Sequence, residues 1–202
     1  GALYKGSLPV VKLLIANKAD VNAANSAGIT ALIEASFDEN LLVVKLLVEI
    51  NADVNAADSW GRTALMEASV NGNLPIVKLL IDHKADVNAA DSTGRTALMM
   101  ASQSGDLPIT QLLIDHKADV NAADKGGTTA LMAASEKGKL SVAKLLLNHK
   151  ADVNPAYKGA YTALMAASRK GNLPIVKLLI DHSADVNAVT ENGTTALIQA
   201  SH

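Results

Sequence analysis

The tetrapeptide Ala-Asp-Val-Asn begins at Ala19, Ala52, Ala85, Ala118, Ala151 and Ala184, each copy 33 residues after the last and with no insertion. In the same phase, Thr-Ala-Leu begins at Thr30, Thr63, Thr96, Thr129, Thr162 and Thr195. A fixed period of this length marks one supersecondary unit copied along the chain. Such a unit is too small to bury its own apolar face and must stack on its neighbours. The expected organisation is a single array over 1–202. It comprises a partial repeat at 1–18, full units at 19–51, 52–84, 85–117, 118–150 and 151–183, and a partial repeat at 184–202.

The unit 52–84 predicts two helices. Gly61 supplies a turn, and Thr63 can cap a short helix through Ala64, Leu65, Met66 and Ala68 that Gly72 ends. Asn73 is placed to cap a second helix, with Pro75 in its first turn and Leu74, Val77, Leu80 and Ile81 as its apolar stripe. Hydrophobic residues make up 49% of the chain but aromatic residues only 2%, so the shared core must be built from Ala, Leu, Ile, Val and Met. Small residues on the first helix (Ala64, Ala68, Ser69) face bulkier ones on the second (Ile76, Val77, Leu79, Leu80). Units should therefore approach more closely on the first-helix side and make it concave.

A 33-residue period with G-x-T-x-L opening the first helix, V-x-L-L in the second and A-D-V-N after it resembles the ankyrin repeat along the whole chain. The resemblance implies an all-α solenoid of stacked helix-turn-helix units with short β-hairpin-like fingers, such as residues 53–62. It also implies partners that dock on fingers and first helices. Two departures stand out. The family's usual T-P-L-H reads T-A-L-M at Thr63, Thr96, Thr129 and Thr162, as in a bacterial-like or engineered variant, and ends in Ile at Ile33 and Ile198. The family's glycine before A-D is replaced by Lys18, Asn51, Lys84, Lys117, Lys150 and Ser183. If these positions stay left-handed, each non-glycine residue other than Asn costs roughly 1 kcal/mol. Both ends of the chain fall inside a repeat and lack the polar outer face of a terminal unit, so the expectation is a piece of a longer array. The close identity of the units fits recent duplication and deliberate engineering equally.

Enzymatic chemistry is not expected. Ser69, Asp82 and His83 include the residue types of a nucleophilic triad, but comparable residues recur in several other units, where they serve folding, and an active site is a unique constellation. His83, His116, His149 and His182 sit one per unit. Stacked helices lie about 8–10 Å apart, whereas zinc ligands each lie about 2 Å from the ion. No cofactor or metal is expected. The chain has no cysteine, and 18 Lys plus Arg against 20 Asp plus Glu provide no global field toward nucleic acid or membrane. The expectation is a monomer without membrane insertion, intracellular by default.

Function should lie where the units differ. The residue after the finger glycine reads Ile29, Arg62, Arg95, Thr128, Tyr161 and Thr194, and the variable first-helix position reads Glu34, Glu67, Met100, Ala133, Ala166 and Gln199. All five aromatic residues, Tyr4, Phe37, Trp60, Tyr157 and Tyr161, fall at variable positions. Trp, Tyr and Arg dominate interface hot spots. The expected partner-binding residues are Phe37, Trp60, Arg62, Glu67, Arg95, Met100, Lys125, Tyr157, Lys158, Tyr161 and Arg169. The expected role is a scaffold or inhibitor that binds another protein through the concave face and finger tips. The alternatives are nucleic-acid binding through the more basic C-terminal half, and a passive spacer. The fifth finger departs most, with Pro155, Tyr157 and Ala160 in place of the usual residues, and is either specialised or decayed.

Overall fold

The computed structural model describes residues 8–154 and 161–201. Helices of two kinds alternate along them. The first helices of the units are α2 (Ala31–Phe37), α4 (Ala64–Val70), α6 (Ala97–Ser104), α8 (Ala130–Glu136), α10 (Ala163–Arg169) and α12 (Ala196–Ala200). The second helices are α1 (Leu8–Ala16), α3 (Leu41–Glu49), α5 (Leu74–Asp82), α7 (Leu107–Asp115), α9 (Leu140–Asn148) and α11 (Leu173–Asp181).

Local chemistry sets the helix starts. Thr63 is extended and its hydroxyl accepts the Met66 amide at 3.4 Å, and the equivalent threonine caps every other first helix in the same way. Asn73 Oδ1 accepts the Ile76 amide at 3.2 Å, with Pro75 in the first turn. Lys139 has no acceptor to offer α9. Asn172 gives α11 no side-chain cap and turns its amide to the Ser135 carbonyl of the preceding unit at 2.9 Å.

The core runs unbroken through the stack. Leu65, Leu98, Leu131 and Leu164 of the first helices and Leu80, Leu113, Leu146 and Leu179 of the second are all buried. Burial of each stabilises the fold by about 1.5–3 kcal/mol. Ala68, Ala101, Ala134 and Ala167 are also buried, and their size lets neighbouring first helices come together. Adjacent first helices meet along their length, while adjacent second helices touch over only a few residues. The stack therefore curves with the first helices on its inner side.

Hydrogen bonds across unit boundaries fix the register, and the last residue of Ala-Asp-Val-Asn makes them. Asn55 Oδ1 accepts the Asp86 amide at 2.8 Å, and its Nδ2 donates to the Lys84 carbonyl at 3.3 Å. Asn88, Asn121 and Asn154 repeat both bonds one unit further on. The aspartate two residues earlier accepts the asparagine's own amide, as Asp53 does for Asn55 at 2.9 Å, which holds the carboxamide in place.

The β-hairpin-like fingers are not formed. No β-strand occurs among the described residues. Four of the described loops are pinned instead by one isolated antiparallel bridge each, Ala24 with Thr30, Ala57 with Thr63, Ala90 with Thr96 and Ala123 with Thr129. The physical reason is the side chain inside the loop. Asp58 Oδ1 accepts the Trp60 and Arg62 amides at 2.9 and 2.8 Å, closing a compact turn before a second rung of a ladder can form. The loops then stack on one another through single backbone bonds, Ser59 N–H to the Ala27 carbonyl, Ser92 to Trp60 and Lys125 to Thr93, at 2.7–2.8 Å.

The six residues before Ala-Asp, from Lys18 to Ser183, all have positive φ, between 63° and 71°. A seventh non-glycine position, Glu39 at φ 58°, ends α2 where the matching residue of the next units is glycine.

Candidate functional site

Unit 52–84 carries the most connected polar cluster on the inner side. Trp60 is 52% exposed at the loop tip, its amide held by Asp58. The Arg62 guanidinium lies 5.6 Å from the centre of the Trp60 ring. It also reaches back to two carboxylates, Nη1 to Glu67 Oε1 at 2.9 Å and Nε to Asp58 Oδ2 at 3.4 Å. Both acids are buried, Asp58 at 6% and Glu67 at 5% exposure. Burial pushes the Glu67 carboxyl above its ordinary value; the Arg62 charge opposes the shift and the Asp58 charge adds to it. Arg62 is thus a fixed, partly exposed cation clamped from behind, with an aromatic ring beside it.

The next unit is built differently. Arg95 Nη2 donates to Gln103 Oε1 at 2.7 Å, and its amide donates to Asp91 Oδ1 at 2.9 Å. Burial pushes the Asp91 carboxyl up. The Thr93 hydroxyl, the Arg95 and Thr93 amides and the Arg95 charge outweigh it and hold the group below its ordinary value. Met100 is buried at 5% exposure. Lys125 is exposed at the following loop.

A second aromatic, arginine and glutamate set spans two units. Arg169 Nη2 donates to Glu136 Oε1 at 2.7 Å, and its guanidinium lies 5.6 Å from the Tyr161 ring centre. The Tyr161 hydroxyl is buried without a hydrogen-bond partner among the described residues, and burial raises its pKa, opposed by Arg169 and aided by Glu136. The ring borders a groove lined by Thr190, Glu191, Asn192, Thr194 and Gln199. Phe37 stands apart from both sets, 56% exposed at the end of α2.

Of the residues singled out from the sequence, Trp60, Arg62 and Glu67 form one cluster, and Tyr161 with Arg169 another. Arg95, Met100, Lys125 and Phe37 belong to neither set of contacts. Glu67 and Met100 present almost no side-chain surface, so Glu67 acts on the surface only through Arg62. Tyr157 and Lys158 lie outside the described residues. Asp58 was not expected at the site from the sequence; Gln103 and Glu136 stand at a position that varies between units, which the family resemblance turns toward a partner, but were not among the expected binding residues. Asp58 was findable, because an Asn or Asp recurs three residues before the loop glycine at Asn25, Asp58, Asp91 and Asp124.

The residues that had suggested catalysis are tied up structurally. Ser69 is fully buried and its hydroxyl donates to the Leu65 carbonyl at 2.7 Å. His83 and His182 close their helix ends through Nδ1–H to Leu79 and Leu178 carbonyls at 2.9 and 2.8 Å. Among the described residues, no group of three or more His, Asp or Glu is placed to hold a metal ion, and no helix is long and apolar enough to cross a membrane.

A family model described as ankyrin repeats (3 copies) matches residues 1–91, 88–157 and 154–202, which together span the whole chain. No curated protein matches the chain significantly.

Proposed function

The chain belongs to the ankyrin repeat family, which is non-catalytic, and from that premise we propose that it is a protein-binding module, a scaffold or an inhibitor, whose partner lies along the inner surface and loop tips. The observation that carries the proposal is the contrast between scaffold and surface. The repeated residues are consumed by capping, core packing and cross-unit bonds. The residues left exposed at variable positions include Trp60, Phe37 and a guanidinium held rigid by two buried carboxylates. Rigid amphipathic side chains lose little entropy on contact and supply much of the energy at hot spots.

The partner captured by the intact chain is the ligand for the test, with its dissociation constant measured by calorimetry. Trp60→Ala, Arg62→Ala and Tyr161→Ala are expected to weaken binding by about tenfold or more in at least one case, equivalent to about 1.4 kcal/mol. His83→Ala and Lys78→Ala, both exposed on the second-helix side, should leave it unchanged. Loss of binding in these two controls, with the three inner variants unaffected, would place the partner on the outer side. A captured partner indifferent to all five variants would show that these residues do not form its site, and capture of no partner would favour the spacer reading.

A further inference from the structure

The charge of the partner can be read from the inner side of the stack. The loop and first helix of each unit form a strip along that side, and the strips are graded. Segment 25–39 holds Glu34, Asp38 and Glu39 with no Lys or Arg, for a formal charge of −3. Segment 58–72 holds Asp58 and Glu67 against Arg62, for −1. The segments 91–105 and 124–138 are neutral, and 161–171, the described part of the fifth, is +2. Glu34, Asp38 and Glu39 make no ion pair among the described residues, and Glu34 and Glu39 are exposed.

The buried pair in the second strip is short of positive charge. Asp58 and Glu67 share one guanidinium, and among the described residues Asp58 Oδ2, in a side chain 1% exposed, has no hydrogen bond and only the 3.4 Å approach of Arg62 Nε. A buried carboxylate without a full complement of donors is costly, and a cation brought over the cluster would offset part of that cost. Phe37 and Trp60 are the two most exposed aromatic residues of the described chain, and they belong to these same two strips. Aliphatic stems of Lys and Arg lie well on such rings while their charged heads reach neighbouring carboxylates.

Building on the protein-binding reading, we propose that segments 25–39 and 58–72 dock a Lys- and Arg-bearing polypeptide segment, its charged heads on Glu34, Asp38 and Glu39 and its stems against Phe37 and Trp60. An acidic segment would meet like charge here, and like-charge juxtaposition is strongly disfavoured. A purely apolar one would leave the three carboxylates desolvated without partners.

Trp60 is the only tryptophan of the chain, so its emission reports on this surface directly. The probes are an alternating lysine–alanine dodecapeptide and its glutamate–alanine counterpart, titrated at low salt into the whole chain. The lysine peptide is expected to change Trp60 emission and to bind about tenfold or more tightly than the glutamate peptide, with affinity falling as salt is added. The triple variant Glu34→Gln, Asp38→Asn, Glu39→Gln should abolish that preference, while Asp82→Asn with Asp115→Asn, at the ends of second helices, should preserve it. Lysine-peptide binding that survives the triple variant, or no response of Trp60 to the lysine peptide, would overturn the inference. Neither result touches the wider protein-binding reading, which stands or falls on Trp60→Ala, Arg62→Ala and Tyr161→Ala with the captured partner.

Discussion

Gly61→Ala tests the idea that the loops are held by stacking on one another. Gly61 has φ +76°, and a Cβ there would lie 3.0 Å from the Ser92 nitrogen and 3.1 Å from Asp91 Cα. Both atoms are backbone, so no rotamer change can relieve the contact. The loops would have to separate, and the 2.7 Å bond from the Ser92 amide to the Trp60 carbonyl would be lost. Gly171 provides the comparison, because its φ is +65° and a Cβ there meets nothing within 4 Å. Both alanine variants bear the left-handed cost of about 1–2 kcal/mol, partly offset by about 0.4–1 kcal/mol from the stiffer unfolded chain. Gly61→Ala alone adds the lost bond, about 1 kcal/mol, and the contact strain. The expected losses are about 0.5–1 kcal/mol for Gly171→Ala and about 2 kcal/mol or more for Gly61→Ala. Urea midpoints followed by far-ultraviolet circular dichroism, at unchanged m-value, would measure both. Equal losses would show that the loops do not depend on each other and that glycine is needed at position 61 only for its φ.

Lys84→Gly and Lys117→Gly relieve left-handed φ values of 71° and 70° and are each expected to raise stability by a few tenths to about 1 kcal/mol; a drop in the urea midpoint of both would show that the lysines are unstrained. Asn88→Ala removes the bonds to the Asp119 amide at 2.7 Å and the Lys117 carbonyl at 3.1 Å. Because all these groups are exposed and water can replace the asparagine, the expected loss is about 1–2 kcal/mol, and no loss would mean that the staple does not hold the units. Glu67, whose pKa is raised by burial, binds its proton more tightly when folded, so the stability due to its neutral form is present at low pH and is lost as the pH rises through the ordinary and then the raised value. Glu67→Gln should therefore gain on the parent protein as the pH rises from about 4 to about 7, and urea midpoints of the two that keep a constant difference would contradict the burial argument.

The period, the caps and the core stripe were legible because each is local. Thr63 and Asn73 declare themselves by standing just before an apolar run, and Leu65, Val77 and Leu80 by their spacing within one helix. The left-handed turn before Ala-Asp was legible only through the family resemblance, which places a glycine where this chain has Lys, Asn or Ser. The β-hairpin-like fingers rested on the family resemblance alone, and here the Asp58 carboxylate takes the Trp60 and Arg62 amides and closes a compact turn instead. The asparagine staple was missed because its partners lie 31 and 29 residues away, and nothing in one unit alone points to them.

The candidate positions were named from the sequence, but which of them are exposed groups was not legible there. Glu34 and Glu67 occupy the same place in successive units, yet one is exposed and the other buried. The two units also differ at the residue after the loop glycine. Ile29 offers Glu34 no charge, whereas Arg62 reaches Glu67 at 2.9 Å and covers it together with Asp58. Where the loop above it supplies an arginine, as Arg62 does for Glu67, a glutamate in the variable row is a buried counter-ion, and there the two rows are read as a pair. In these pairs each unit can adjust its surface while the asparagine staples between neighbours, from Asn55, Asn88, Asn121 and Asn154, lie outside both rows. Variation in the pairs changes what the inner surface presents, while the staples keep the strips in register.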